Sequence, residues 1–173
     1  MEQVMYKPAE VAKKIKSGEK LLLAGDEQVL RNLPSGNWIG GTIPYFMGDN
    51  GGVFSQKMIN VQQLPSYIDS VAVQVYQKNE LNTIYKDIGP QDISFIVIPA
   101  LSESHLSFSL QSPTYEGFGT RPLIGWISGV SLDELGKVTP KIFDGTSASP
   151  LEDGAVVMRA TLPEDKYSDI SII

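Results

Sequence analysis

Three groups of residues in this chain could carry chemistry. The first is Gly40-Gly41-Thr42, inside the run Asn37-Trp38-Ile39-Gly40-Gly41-Thr42-Ile43-Pro44-Tyr45-Phe46. Glycine has no Cβ, so another group can approach the backbone closely, and adjacent N–H groups can then hold an anion. The competing reading is that Gly40 and Gly125 only make room for a packed helix or a bulge. The second group is Ser102, Ser104 and His105, which invites a hydrolase reading, although no GxSxG nucleophile elbow exists. The third is a set of adjacent carboxylates: Asp26-Glu27, Asp133-Glu134, Glu152-Asp153 and Glu164-Asp165. Neighbours in a strand or helix point in different directions, so such pairs make poor acid/base or metal sites by themselves. Asp26 and Asp133 read better as helix caps.

Several chemistries are excluded by what the sequence lacks. His105 is the sole histidine and cysteine is absent, so neither a histidine-rich nor a thiolate metal site can be built. Gly41-Thr42-Ile43 lacks the lysine of a Walker loop, and no GxGxxG follows a predicted strand. No cofactor is implied. Asp144-Gly145-Thr146-Ser147 has turn chemistry, with the wrong ligand spacing for a calcium loop.

These residues must be positioned by short elements. Pro8 suits a helix first turn, Val11, Ala12 and Ile15 share a face, and Gly18 stops the helix. Leu21-Leu22-Leu23-Ala24 reads as a buried strand. Asp26 caps a helix over 27–33, and Trp38 to Ile43 returns as a second buried strand, which completes a βαβ unit. A turn at Gly48–Gly52 leads to antiparallel strands within 53–61. Residues 67–75 read partly as strand and 80–85 as helix. Ile93 to Ile98 is the clearest β-run, followed by a helix over 102–111 with Leu106 and Leu110 at i and i+4, and then a buried strand over 123–127. Residues 139–143 and 155–162 read as a hairpin-like pair.

The fold class expected is therefore α/β or α+β, with mixed sheets built from two similar βαβ-ββ units, about 20–65 and 92–163, in a single globular domain over 1–173. In this alignment Leu22 answers Val97, Ile39-Gly40 answers Ile124-Gly125, and Leu64-Pro65 answers Leu162-Pro163. The second unit then carries longer loops, which chains accommodate at low cost. Ligands of parallel α/β sheets sit beyond the carboxyl ends of the strands. A small-molecule pocket there would draw on Asp26, Gly40, Gly41, Thr42, Tyr45 and Ser102. Trp38 and Trp126 read as core around the paired strands.

The pattern resembles the FIST sensory domain, in which an apolar strand and a short helix lead to a glycine-containing strand, a turn and a strand pair. The residues that carry the resemblance are Leu21-Leu22-Leu23-Ala24, Val29-Leu30-Arg31-Asn32-Leu33-Pro34, Asn37 to Thr42 and Gly51-Gly52-Val53. Later counterparts are Ile96-Val97-Ile98-Pro99, Leu123-Ile124-Gly125-Trp126 and Asp153-Gly154-Ala155-Val156-Val157. Pro44-Tyr45-Phe46 departs from the family, where a small polar pair follows the glycines. The resemblance implies a non-catalytic signal-transduction input module that binds a small metabolite such as an amino acid and works with a signalling partner domain or as a homo-oligomer. The alternatives are a hydrolase using Ser102 and His105 and an oligomerising interaction module.

Composition narrows the partners. The chain has 173 residues, 14 basic and 20 acidic, and a formal charge of −6. Lys13, Lys14, Lys16 and Lys20 are the densest basic group and read as a solvated helix face, so neither nucleic acid nor a membrane surface is an expected partner. Met1-Glu2-Gln3-Val4 lacks the regions of a signal peptide, and no apolar run approaches the about 18 residues of a membrane span. A cytoplasmic location is expected. Asp169-Ile170-Ser171-Ile172-Ile173 resembles the start of a strand, which either docks at a sheet edge or continues into a longer polypeptide.

Overall fold

The computed structural model describes residues 4–48 and 51–168, so the strand-like segment 169–173 lies outside the described residues. The elements follow in chain order: β1 (Met5–Tyr6), α1 (Pro8–Lys16), β2 (Leu21–Gly25), α2 (Glu27–Leu30), β3 (Trp38–Thr42), β4 (Tyr45–Gly48), β5 (Gly51–Phe54), β6 (Ile59–Gln63) and β7 (Val71–Tyr76). After a 3-10 turn at Lys78–Thr83 come β8 (Asp92–Pro99), α3 (Glu103–Gln111), β9 (Leu123–Ser128), β10 (Ile142–Asp144), β11 (Ser149–Leu151) and β12 (Ala155–Thr161). The protein is a mixed α/β structure. One sheet has the order β1-β6-β2-β3-β10-β11, a second has β7-β12-β8-β9, and β4-β5 pair only with each other.

Side-chain alternation explains why the apolar runs are continuous. Leu21 and Leu23 face one way and pack with Val11, Ile15 and Trp38 beneath α1 and α2. Leu22 faces the other way and meets Ile39, Val97, Val156 and Met158 between the two sheets. On the second sheet, Ile96 and Ile98 turn away from that interface toward Leu81, Ile84 and Phe108. A strand sandwiched on both sides needs apolar residues at successive positions, so it shows no polar alternation.

Each sheet has an inner strand, β2 or β8, with a parallel neighbour that follows it in sequence, β3 or β9. The other neighbour is antiparallel, β6 or β12. Gly40 lies opposite Leu23 and Gly125 opposite Ile96. The correspondences expected from sequence are out of step by two positions, because Ile39 pairs with Leu22 whereas Ile124 pairs with Phe95, not Val97. The environments differ too: Ile39 is fully buried and Ile124 is 39% exposed. Descent from two copies of one unit stays a proposal, separate from this architecture.

Local expectations fared unevenly. Helix α1 starts at Pro8 and buries Val11 and Ile15, and Gly18 follows with φ +83°. The segment 80–85 is a 3-10 turn at Lys78–Thr83 instead of an α-helix. The hairpin expected between 139–143 and 155–162 does not form. β10 pairs with β11 and β3 in one sheet, while β12 pairs with β7 and β8 in the other. The turn at Gly145 explains this, since it returns the chain within 149–151 and leaves 155–161 free to enter the second sheet.

Helix α3 is inverted relative to ordinary amphipathicity. Leu106 and Leu110 are 62% and 71% exposed, whereas Ser104 and Ser107 are buried. The inward serine is locked at both ends of a short circuit. Ser104 N–H donates to Asp153 Oδ1 (2.9 Å), and Ser104 Oγ accepts from Gly154 N–H (3.0 Å). Burial alone would raise the Asp153 carboxyl, but the hydrogen bonds from Ser104, Gly154 and Ser102 hold it below the ordinary value. A depressed carboxylate stabilises the fold above its unfolded-state range, and that contribution disappears as pH falls through the folded value. Asp153→Ala is therefore expected to cost about 1 kcal/mol at pH 7, as for loss of a helix cap. Urea midpoints of the two proteins should converge below the ordinary carboxylate value of 3.8. A gap that persists in acid would mean that packing, not the carboxylate, is what the residue supplies.

Candidate functional site

The carboxyl ends of β2, β3 and β9 come together around a cleft of about 460 Å³. Its walls include Asp26, Glu27 and Arg31 beside α2, Thr42 to Pro44 after β3, and Gly129 to Ser131 after β9. Gln56, Glu134 and Thr139 complete the rim. The strands reach this point together because Gly129 N–H donates to the Thr42 carbonyl at 2.6 Å, tying the two sheets where their strands end.

Asp26 does two jobs here. Its Oδ1 accepts from Gln28 N–H (2.9 Å), which caps α2, and its Oδ2 accepts from Gln56 Nε2 (3.2 Å). The cap is local and readable from sequence. The Gln56 contact brings in a residue from the far side of the β4-β5 hairpin. Thr42 is 4% exposed, and its Oγ1 accepts from Lys141 N–H at 2.9 Å. Its hydroxyl is thus engaged with backbone, and the residue shapes the cleft floor.

An ionic chain stands behind the α2 wall. Glu27 pairs with Arg31 one helical turn on, and its other oxygen lies 2.8 Å from Lys141 Nζ. Lys141 also reaches Glu152 at 3.4 Å. Burial works against the Lys141 charge, but Glu27 and then Glu152 more than offset it and raise the ammonium above its ordinary value. The arrangement fixes the Glu27 carboxylate and leaves the Arg31 guanidinium at the cleft rim, its side chain 55% exposed. The cleft thus presents both signs of charge together with amide groups, which suits a small polar molecule better than an apolar one.

Of the six residues expected in a site, the structure brings together Asp26 and Thr42. Gly40 and Gly41 stand outside the cleft wall. A Cβ at Gly40 would lie 2.8 Å from the Leu23 carbonyl oxygen, and one at Gly41 would lie 2.7 Å from Val97 and 2.9 Å from Ser128. Both glycines permit close packing, Gly40 within its sheet and Gly41 between sheets. Tyr45 is beside the cleft, where its hydroxyl accepts from Leu132 N–H (3.1 Å) and its ring packs on Phe54. Ser102 is elsewhere, drawn off to cap α3, where its Oγ accepts from His105 N–H at 3.0 Å.

That cap also bears on the hydrolase alternative. His105 Nδ1 accepts from Leu101 N–H at 3.2 Å, while the Ser102 hydroxyl accepts from His105 N–H and also meets the Asp153 carboxylate. A nucleophile and its base work through a hydrogen bond between them, and the bonds made here join Ser102 and His105 to other partners. Among the described residues no group of three or more His, Asp or Glu is placed to hold a metal ion, and no helix is long and apolar enough to cross a membrane.

Arg31, Gln56, Ser131 and Lys141 were not anticipated from sequence, and Glu27 was read there only as one of an adjacent carboxylate pair. Glu27 and Arg31 carried a usable signal, an i,i+4 ion pair directly after a cap. Gln56, Ser131 and Lys141 carried none, since only tertiary folding brings them to α2. No curated protein and no solved structure matches the chain. A family model described as a family of unknown function, DUF6976, matches residues 6–173, and the chain belongs to that family.

Proposed function

We propose that the chain is a small-ligand-binding input module that holds a polar metabolite in the cleft and acts through binding and conformational coupling. The observation that supports this reading is the convergence of three strand ends and the α2 cap on one polar-rimmed hollow. Strand ends at such a junction are where open α/β sheets bind ligands, because backbone and side-chain polar groups converge there on rigid supports. The resemblance to FIST-type sensory domains points the same way. The cleft is tied to both sheets through Gly129 and Thr42, so a ligand that bridges α2 and the Gly129–Ser131 segment would change how the sheets are held.

The test is a thermal-shift screen of the whole chain against a panel of polar metabolites. A ligand present at 100 times its Kd stabilises by about 2.7 kcal/mol, enough to move the midpoint by several degrees. At least one compound is expected to raise the midpoint, and Arg31→Ala with Gln56→Ala should abolish that shift while leaving the unliganded midpoint nearly unchanged. A panel with no hit, or a hit indifferent to both substitutions, would defeat the cleft as the binding site.

A further inference from the structure

The walls of the cleft carry the carboxylates of Asp26, Glu27 and Glu134 and the guanidinium of Arg31. These charges do not balance. Arg31, Glu27, Lys141 and Glu152 form one ionic chain of two cations and two anions, neutral as a unit. Asp26 and Glu134 lie outside it. Asp26 accepts from two neutral donors, Gln28 N–H and Gln56 Nε2. The Glu134 side chain has no hydrogen bond or ion pair among the described residues. Lys137, one turn on, sends its ammonium to the Asp133 carbonyl instead (2.9 Å). Two uncompensated carboxylates around one hollow gather positive charge, because the protein walls focus their field.

An independent signal comes from the 3-10 turn Leu132–Glu134. Ser131-Leu132-Asp133-Glu134 has the sequence of a capping box, in which the serine hydroxyl and the glutamate carboxylate each take a backbone N–H of the other residue. The chain makes the glutamate half of that box elsewhere. Glu10 accepts from Lys7 N–H and Glu80 from Gln77 N–H, both at 2.8 Å. Here neither half is made. Ser131 does not cap, and Glu134 N–H donates to the Ser131 carbonyl (2.9 Å). Ser131 is 5% exposed, yet its hydroxyl has no partner among the described residues. Both residues line the cleft, so two groups able to satisfy each other's backbone are left free at the hollow.

We propose that the ligand of the cleft is an aliphatic amine of net positive charge, its ammonium groups held by Asp26 and Glu134. The inference rests on the proposed binding role of the cleft and names the ligand class. An ammonium brings three donors. Beside the two carboxylates, Ser131 Oγ can accept one, and so can Gln56 Oε1, since Gln56 Nε2 is the atom that donates to Asp26. Ile43, Pro44, Val130 and Val138 line the same hollow and suit a carbon chain. A metal ion is a poorer fit, because among the described residues no three carboxylates are placed to hold one. An amino acid, the ligand that the FIST resemblance implies, is a poorer fit too. Its carboxylate would enter an acidic hollow whose guanidinium is engaged by Glu27.

Isothermal titration of the full chain compares putrescine, agmatine and spermidine with γ-aminobutyrate and succinate. At least one amine is expected to bind at a single site, more tightly than the zwitterion or the dianion, and to weaken as salt rises. Asp26→Asn removes the charge and keeps the α2 cap, since Asn caps as well as Asp. It and Glu134→Gln should each weaken the amine by about tenfold, the loss of a charge-assisted hydrogen bond. Should Asp26→Asn fail to fold, Glu134→Gln, outside the sheets, carries the test. The control is Glu164→Gln with Asp165→Asn, which follow β12 at the amino end of β8, away from the cleft, and should bind as wild type. Equal loss in the control would reveal general attraction to an acidic protein and overturn the proposal. A panel in which no amine binds overturns it as well. So does tighter binding of γ-aminobutyrate or succinate that is lost with Arg31→Ala and Gln56→Ala, and in that case the cleft stands and the ligand class falls.

Discussion

Gly125→Ala is expected to destabilise the protein by about 3 kcal/mol or more, because overpacking typically costs 1–3 kcal/mol even where side chains can yield and here the obstacle is backbone. A Cβ at this position falls on the Ile96 carbonyl oxygen, the residue directly opposite on β8. Rotamer changes cannot relieve that overlap. β8 and β9 would have to separate, and β8 is the strand on which the second sheet and both of its cores converge. Gly145→Ala should behave similarly, since its Cβ would strike the Trp38 carbonyl, to which Gly145 N–H donates at 2.9 Å. Gly52→Ala is the control. Nothing lies within 4 Å of that added carbon, and the change should stay within about 0.5 kcal/mol of wild type. Urea denaturation followed by circular dichroism ranks the three. A Gly125→Ala protein within 1 kcal/mol of wild type would show that the β8–β9 approach is looser than the pairing requires.

The two glycine strands were legible in the sequence, which left a binding and a packing reading of them both open. Gly40 and Gly41 interrupt an apolar run, and a pocket backbone and a tight packing contact both produce that signature. Only the neighbours distinguish them, and those neighbours, Leu23, Val97 and Ser128, are distant in sequence. The cleft was legible where its determinants are local. Asp26 announces itself as a cap just after an apolar strand, and Thr42 as a strand end. Lys141 and Gln56 could not be found this way, because their proximity to α2 is made by sheet pairing across β3 and by the hairpin. α3 shows the limit of periodicity: Leu106 and Leu110 have the spacing of a buried face, yet the face turned inward is the one where Ser104 meets Asp153 and Gly154. The inward face also carries Phe108, which packs on the third core, and the leucine face has no layer above it. The strand pairing of 139–162 failed for a similar reason, because the Gly145 turn, read correctly as a turn, closes a smaller hairpin than the one expected.

Trp38→Ala is the second large effect, expected at 3–5 kcal/mol, as for other buried aromatic truncations. Trp38 is fully buried, its ring centroid lies 6.1 Å from that of Phe143, and its Nε1 donates to the Pro34 carbonyl at 2.9 Å. Truncation removes packing from the first core and leaves the Pro34 carbonyl without its donor. Trp126 provides the internal comparison. Its ring is only partly buried, and its Nε1 has no hydrogen-bond partner among the described residues. A buried donor without a partner costs free energy, so Trp126→Phe removes an unfavourable group along with some area and should stay within about 1 kcal/mol of wild type. Trp38→Phe should cost more than Trp126→Phe, since it deletes a hydrogen bond that is made. The measurement is again the denaturation midpoint, read by circular dichroism because both substitutions alter fluorescence. Equal losses for the two tryptophans would contradict the assignment of Trp38 to the core. Trp38 opens β3 and Thr42 closes it at the cleft, so the two ends of one strand separate stability from binding. A metabolite that binds the cleft should retain its affinity for Trp38→Ala at temperatures where that variant is folded, while the variant's midpoint stays low.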